Sequence, residues 1–201
     1  MDIMFDIETF GTKHDALILS IGATTFDPDA KSLLTAIPKK IGYFYCTLDL
    51  PEQLQQLNRR IDSDTVKWWL QTDQALLAKT LFEGPRLNRE QFRRALYRWL
   101  GGLPAIKNIW CQGPSFDQTI VENYLENTPW PYGMVSDART LKKLIRYHEL
   151  SEGIEDKVKA AMTKLEMMDA AHNALFDARY QALRVTAEHI ALRKALNGKK
   201  A

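Results

Sequence analysis

Asp6 and Glu8 stand two residues apart in Met4-Phe5-Asp6-Ile7-Glu8-Thr9-Phe10. Far along the chain, His172 precedes Asp177 by five residues in His172-Asn173-Ala174-Leu175-Phe176-Asp177. Between them, Asp117 follows Phe116 just after a short apolar run. Carboxylate oxygens are what hard cations such as Mg²⁺ take as ligands. Two such ions about 4 Å apart can activate an attacking water and stabilise a leaving oxygen, the chemistry of phosphodiester hydrolysis. An imidazole beside them can accept a proton near neutral pH.

That chemistry needs the five groups on one surface. If residues 3–7 form a strand, Asp6 and Glu8 point to one face and Ile7 to the other. Two carboxylates side by side on a central strand repel unless a cation sits between them. The alternative is an edge strand with two solvated acids, which the apolar neighbours disfavour. Asp117 falls in the first turn of a helix fed by a short strand, where ligand sites of such sheets collect. The plainer reading of Asp117 is an acid favoured by the helix dipole. Asp177 falls in the first turns of the last helix, with His172 just ahead of it. His14, His148 and His189 lack such company and read as structural or exposed.

The remaining pattern supplies those elements. Residues 3–7, 17–26 and 41–48 read as three strands of an antiparallel meander, the second ending at Asp27-Pro28-Asp29. Ser63 or Asp64 can cap a helix with Val66, Trp68, Trp69 and Leu70, and Asp73 the next. Trp68 and Trp69 are adjacent, so one should pack inward while the other could approach a substrate groove, core packing or a dimer contact being the plainer reading. Asn88 opens an amphipathic helix with Phe92, Leu96, Trp99 and Leu100, stopped by Gly101-Gly102. Residues 108–111 form a strand, Ser115 caps the helix carrying Asp117, and Asp137 caps another. Residues 151–169 fit either a short helix or a loop, and a long helix runs from about Ala174 to Leu196. The expected fold is α/β: a mixed central sheet, three antiparallel strands and then parallel ones, flanked by α-helices.

A chain of 201 residues with 45% hydrophobic content can bury one large core, so residues 1–201 are expected to form a single domain. No stretch approaches a membrane span, and no basic region followed by an apolar run marks a secretory signal. Cys46 and Cys111 are too few for a disulfide framework or a zinc site built on cysteine pairs, and read as buried thiols of a reducing, cytoplasmic protein. The net charge of +2 says little by itself. Arg86, Arg89, Arg93, Arg94 and Arg98 are dense enough to be a phosphate-binding footprint, with Arg59-Arg60 and Lys142-Lys143 as smaller clusters. The plainer reading of each is a solvated helix face.

Asp-Ile-Glu-Thr at 6–9, Phe-Asp at 116–117 and His-x4-Asp at 172–177 resemble the three motifs of the DEDDh 3′–5′ exonucleases, the DnaQ-like members of the ribonuclease-H-like fold. The resemblance spans residues 2 to about 185. Asn173 stands where tyrosine-type members carry tyrosine, so the chain resembles the histidine type. The resemblance implies Asp6, Glu8, Asp117 and Asp177 as catalytic ligands of two divalent ions, Mg²⁺ or Mn²⁺, and His172 as general base. It implies single-stranded DNA or RNA 3′ ends as partners, with nucleoside 5′-monophosphates released. Thr9 would meet the 3′-hydroxyl, and Phe10 would stack on or wedge against the last base, a contact worth ~1–3 kcal/mol; the plainer reading of Phe10 is core packing. Arg139 and the arginines of residues 86–98 would meet backbone phosphates.

One departure is Gly113, where many members have asparagine four residues before the central aspartate. With Thr65-Val66-Lys67-Trp68-Trp69 upstream and Asp137-Ala138-Arg139-Thr140 downstream, it resembles a smaller branch. That branch holds phage and prophage exonucleases similar to exodeoxyribonuclease VIII and the mycobacterial-type 3′–5′ exoribonucleases, and it suggests a homodimer. DNA is the favoured substrate on this reading and RNA the alternative. A catalytically silent nucleic-acid-binding module is the rival from another class, and the intact set of five site residues argues against it.

Overall fold

The computed structural model describes residues 1–38, 42–167 and 172–198. Six strands form one sheet in the order β4-β3-β2-β1-β5-β6. They are β1 (Asp2–Thr9), β2 (Ile18–Phe26), β3 (Tyr43–Leu48), β4 (Arg86–Leu87), β5 (Ile109–Cys111) and β6 (Val135–Asp137). β1, β2 and β3 are the expected antiparallel meander, and β5 joins β1 in parallel. β6 pairs in parallel with β5, and β4 with β3. The expected third strand began at Ile41, which lies outside the described residues, as do positions 168 and 169 of the ambiguous segment. Sequence reasoning missed β4 and β6, two and three residues long, too short to carry a period.

Eight helices among the described residues cover the sheet: α1 (Leu50–Gln55), α2 (Ser63–Thr72), α3 (Gln74–Phe82), α4 (Arg89–Gly101), α5 (Asp117–Leu125), α6 (Ala138–Tyr147), α7 (Ile154–Lys164) and α8 (Ala174–Gly198). Ile3, Phe5 and Ile7 face one side of β1 and pack with Phe92 and Leu96 of α4 and Ile120 and Tyr124 of α5. Met4 faces the other side, packed among residues of α6, α7 and α8. A third cluster joins Phe10, Leu17 and Leu19 to Trp69 of α2 and Leu76 and Leu77 of α3. The alternation that sends Ile7 into one core sends Asp6 and Glu8 to the opposite face, under α8.

The caps explain most helix starts. Asn88 and Gln91 form a reciprocal capping box on α4, and the side chains of Asp73 and Asp137 cap α3 and α6. α2 is capped by Asp62, one position before the expected Ser63 or Asp64. α5 corrects the sequence reading. Ser115 is not its cap; the chain turns at Gly113 (φ +118°), whose carbonyl accepts from the Phe116 and Asp117 amides. Residues 154–164 resolve as helix.

α8 lies across β1 and β2. Ala174, Ala178 and Ala182 recur every four residues on its inner face and are fully buried, so the helix axis comes close to the sheet. The closest approach is at Gly22, the register partner of Asp6. A Cβ at Gly22 would fall on the backbone of Ala174 and Leu175. A glycine inside a strand often marks such a backbone approach. Gly22→Ala is expected to cost at least ~1–3 kcal/mol, because α8 must move off the sheet. Urea denaturation would show this, and an unchanged midpoint would contradict the packing.

Candidate active site

The C-terminal end of β1, the start of α5 and the start of α8 meet at a cleft of about 460 Å³. Asp6, Glu8, Asp117, His172 and Asp177 all line it. Residues more than a hundred positions apart in sequence thus converge, as the motif spacing predicts. Asp117 is the first residue of α5 and is 3% exposed. Asp177 lies in the first turn of α8 and accepts the His172 amide at 3.1 Å. Asn173 caps that helix, its Oδ1 accepting from the amides of Leu175 and Phe176. His172 sits just before it in left-handed backbone, φ +63°. Its ring packs edge-to-face on Trp68, 4.9 Å between centroids, and on Trp69 at 6.2 Å. Glu8, His172 and Asp177 each offer a ligand atom within 4.8 Å of the others.

These acids are held away from their ordinary titration. Burial pushes the Glu8 carboxyl up to about 9, helped by the charges of Asp177 and Asp117. Burial lifts Asp117 to about 7, opposed by backbone amides and the Arg139 guanidinium. Asp6 is raised well above the usual carboxylate range by burial, then by Asp117, Glu8 and Asp177. Asp177 is raised by burial and pulled back by His172. A donor set of four carboxylates and one imidazole, crowded until its own charges resist ionisation, fits a hard divalent cation.

The crowding has a sign. A carboxyl raised by folding is stabilising while protonated, below the ordinary range near 4. That contribution is lost as pH rises through about 7 for Asp117 and about 9 for Glu8. Without metal, the protein is expected to lose stability steadily from pH 5 to pH 9. Divalent ions should restore it most at the alkaline end. Thermal melts in EDTA and in Mg²⁺ across that range check this, and a flat profile in EDTA would contradict it.

Other expectations fare differently. Trp69 is 1% exposed and donates to the Thr9 carbonyl at 3.0 Å, whereas Trp68 is 43% exposed. Trp68 lines a neighbouring cleft of about 410 Å³ with Glu8, Thr9 and Phe116. Phe116 lines both clefts. The Thr9 hydroxyl is committed to the Gly11 carbonyl at 2.6 Å. Phe10 is 8% exposed and packs in the core against Leu17, Leu19 and Trp69, not beside the carboxylates.

The basic run of residues 86–98 also lies elsewhere. Arg86 donates to the Thr80 carbonyl, Arg89 pairs with Glu126, and Arg93 and Arg94 pair with Glu90. Arg59 is buried and serves the carbonyls of Ala16, His14 and Ile120. The cations that line the carboxylate cleft are Arg139, Lys142 and Arg184. Arg139 lies over Gly113. Its guanidinium donates to the Gln112 carbonyl at 2.8 Å and lies 3.1 Å from where a Gly113 Cβ would be. A side chain at Gly113 would push that exposed guanidinium aside by a few tenths of an ångström and would be strained at φ +118°.

Sequence reasoning missed Gln181. Its Nε2 donates to Asp6 Oδ1 at 2.8 Å, while its Oε1 is buried without a partner. The spacing of four from Asp177 on one helix was the available signal.

No helix among the described residues is long and apolar enough to cross a membrane. Among curated proteins, none matches the chain. Residues 1–188 match the family model of the 3′–5′ exoribonuclease Rv2179c-like domain. With that match over nearly the whole sequence, the chain belongs to the Rv2179c-like domain family and is a 3′–5′ exonuclease.

Proposed function

We propose that residues 1–201 form a single DEDDh-type domain that removes nucleotides from the 3′ end of single-stranded RNA, with divalent metal, releasing nucleoside 5′-monophosphates. The observation that carries this is the convergence of Asp6, Glu8, Asp117, His172 and Asp177 on one cleft. RNA is preferred over the DNA favoured from sequence because the matched family is an exoribonuclease domain.

Asp6, Glu8, Asp117 and Asp177 would hold the metal. When bound, divalent ions lower the pKa of an attacking water and neutralise charge on the leaving oxygen. His172 accepts the proton of that water as its oxygen bonds to phosphorus. The bond from phosphorus to the 3′-oxygen of the penultimate nucleotide breaks, and that oxygen is protonated by solvent. Gln181 fixes one oxygen of Asp6 and leaves the other for the cleft. Trp68 and Phe116 offer aromatic surface beside Glu8 for the terminal base.

The test uses 5′-labelled RNA and DNA of one unstructured sequence, side by side, with Mg²⁺, Mn²⁺ or EDTA. The expected result is a ladder descending from the 3′ end, faster on RNA and absent in EDTA. Faster DNA digestion would overturn the sugar assignment. No shortening of either strand would overturn the activity.

A further inference from the structure

Three cations line the cleft, and Arg184 is the one that is built in. Its side chain is 16% exposed, and its Nε donates at 3.0 Å to Glu188, which is 1% exposed. A carboxylate that deep is tolerated when a cation answers it, so Glu188 fixes the guanidinium from below. From Asp177, the positions of Gln181, Arg184 and Glu188 follow at intervals of four, three and four along one stripe of α8. Arg184 therefore stands roughly 10 Å along the helix axis from Asp177, at 1.5 Å per residue. Arg184 and Glu155 line the same cleft as the carboxylates, so a group at that offset is within the space a bound strand can occupy.

The outer end of the guanidinium already holds an anion. Arg184 Nη1 meets Glu155 Oε2 at 3.2 Å. Glu155 is an exposed residue in the first turn of α7. It also receives Lys159 at 3.4 Å and the Tyr180 hydroxyl. Three donors of this kind, one of them a planar guanidinium, suit a phosphate as well as a carboxylate.

Resting on the exonuclease reading, the geometry points to Arg184 as the contact for the phosphate one linkage 5′ of the scissile bond, with Glu155 as a built-in stand-in that substrate displaces. Glu155 is then a brake on affinity. A substrate that carries a second phosphate releases it, and one that lacks that charge does not.

The experiment compares two 5′-labelled oligonucleotides. One is unmodified, and the other carries a single neutral methylphosphonate at the linkage 5′ of the terminal one. KM and kcat for loss of the terminal nucleotide are measured with wild type, Glu155→Gln, Arg184→Met and the charge-matched control Asp156→Asn. Wild type should show a KM about tenfold higher on the modified strand, the size of one charged hydrogen bond, with kcat little changed. Glu155→Gln should lower KM for the unmodified strand severalfold, and Asp156→Asn should not. In Arg184→Met the two strands should have the same KM. Because that change strands Glu188 in the core, the paired Arg184→Met/Glu188→Gln variant carries the same expectation. A methylphosphonate penalty that persists without Arg184, or a higher KM in Glu155→Gln, overturns the subsite. Cleavage of both strands with equal KM by wild type overturns the subsite alone and leaves the exonuclease standing. No release from the unmodified strand overturns both.

Discussion

Asp6→Asn is expected to bring turnover close to background, a loss on the order of 10³-fold or more, while making the metal-free protein harder to melt. The first effect follows from position. Asp6 lies among Glu8, Asp117 and Asp177 and is pinned by Gln181. Removing its charge would weaken the hold of the carboxylate set on a divalent cation, and metal catalysis is worth several kcal/mol. The second effect follows from electrostatics. Burial and three neighbouring carboxyls raise the Asp6 carboxyl well above its usual range. A neutral amide of the same shape relieves that repulsion and still accepts from Gln181. Each kcal/mol gained moves the midpoint by about 2–4 °C in a chain of this size. Calorimetry in EDTA, beside a nucleotide-release assay, reads both. A variant that is inactive and also less stable would mean that Asp6 is a structural residue.

His172→Gln is expected to slow turnover by roughly 10²–10⁴-fold, the usual share of a general base, with KM little changed. The ring is held by its surroundings rather than by chance. The backbone takes a left-handed turn at His172, its amide is tied to Asp177, and Trp68 and Trp69 pack against the imidazole. Steady-state kcat and KM of wild type and variant check this, and normal turnover would remove His172 from the reaction.

Much of the site could be read from local periodicity. Two acids two apart on a strand must share a face, and Ile7 between them is buried, as that rule requires. Asp117 was legible because a strand end leads into its helix. Phe10 keeps to the face of Glu8, because the extra residue at the register shift is Leu19 on β2 and the Phe10 amide pairs with the Leu17 carbonyl. Leu17, Leu19 and Trp69 close that end of the face, so Phe10 packs into a core cluster there. The arginines of residues 86–98 fit the plainer reading of a solvated helix face, with Arg89 paired to Glu126 and Arg93 and Arg94 to Glu90; density in sequence says nothing about partners. Arg184 escaped notice because its role depends on Glu188 below it and on Glu155 from another helix. Gly22 was equally silent, since its reason is the backbone of α8.

If Asp6, Glu8, Asp117, His172 and Asp177 act together, water attacks the terminal phosphorus and the 3′-oxygen of the penultimate nucleotide leaves. The most direct measurement is the chemical identity of the first product from an RNA labelled in its 3′-terminal nucleotide, with Mg²⁺ and with EDTA. A nucleoside 5′-monophosphate is expected in Mg²⁺ and none in EDTA or with Asp6→Asn. A nucleoside lacking phosphate, a product from within the strand, or release that persists in EDTA would contradict it.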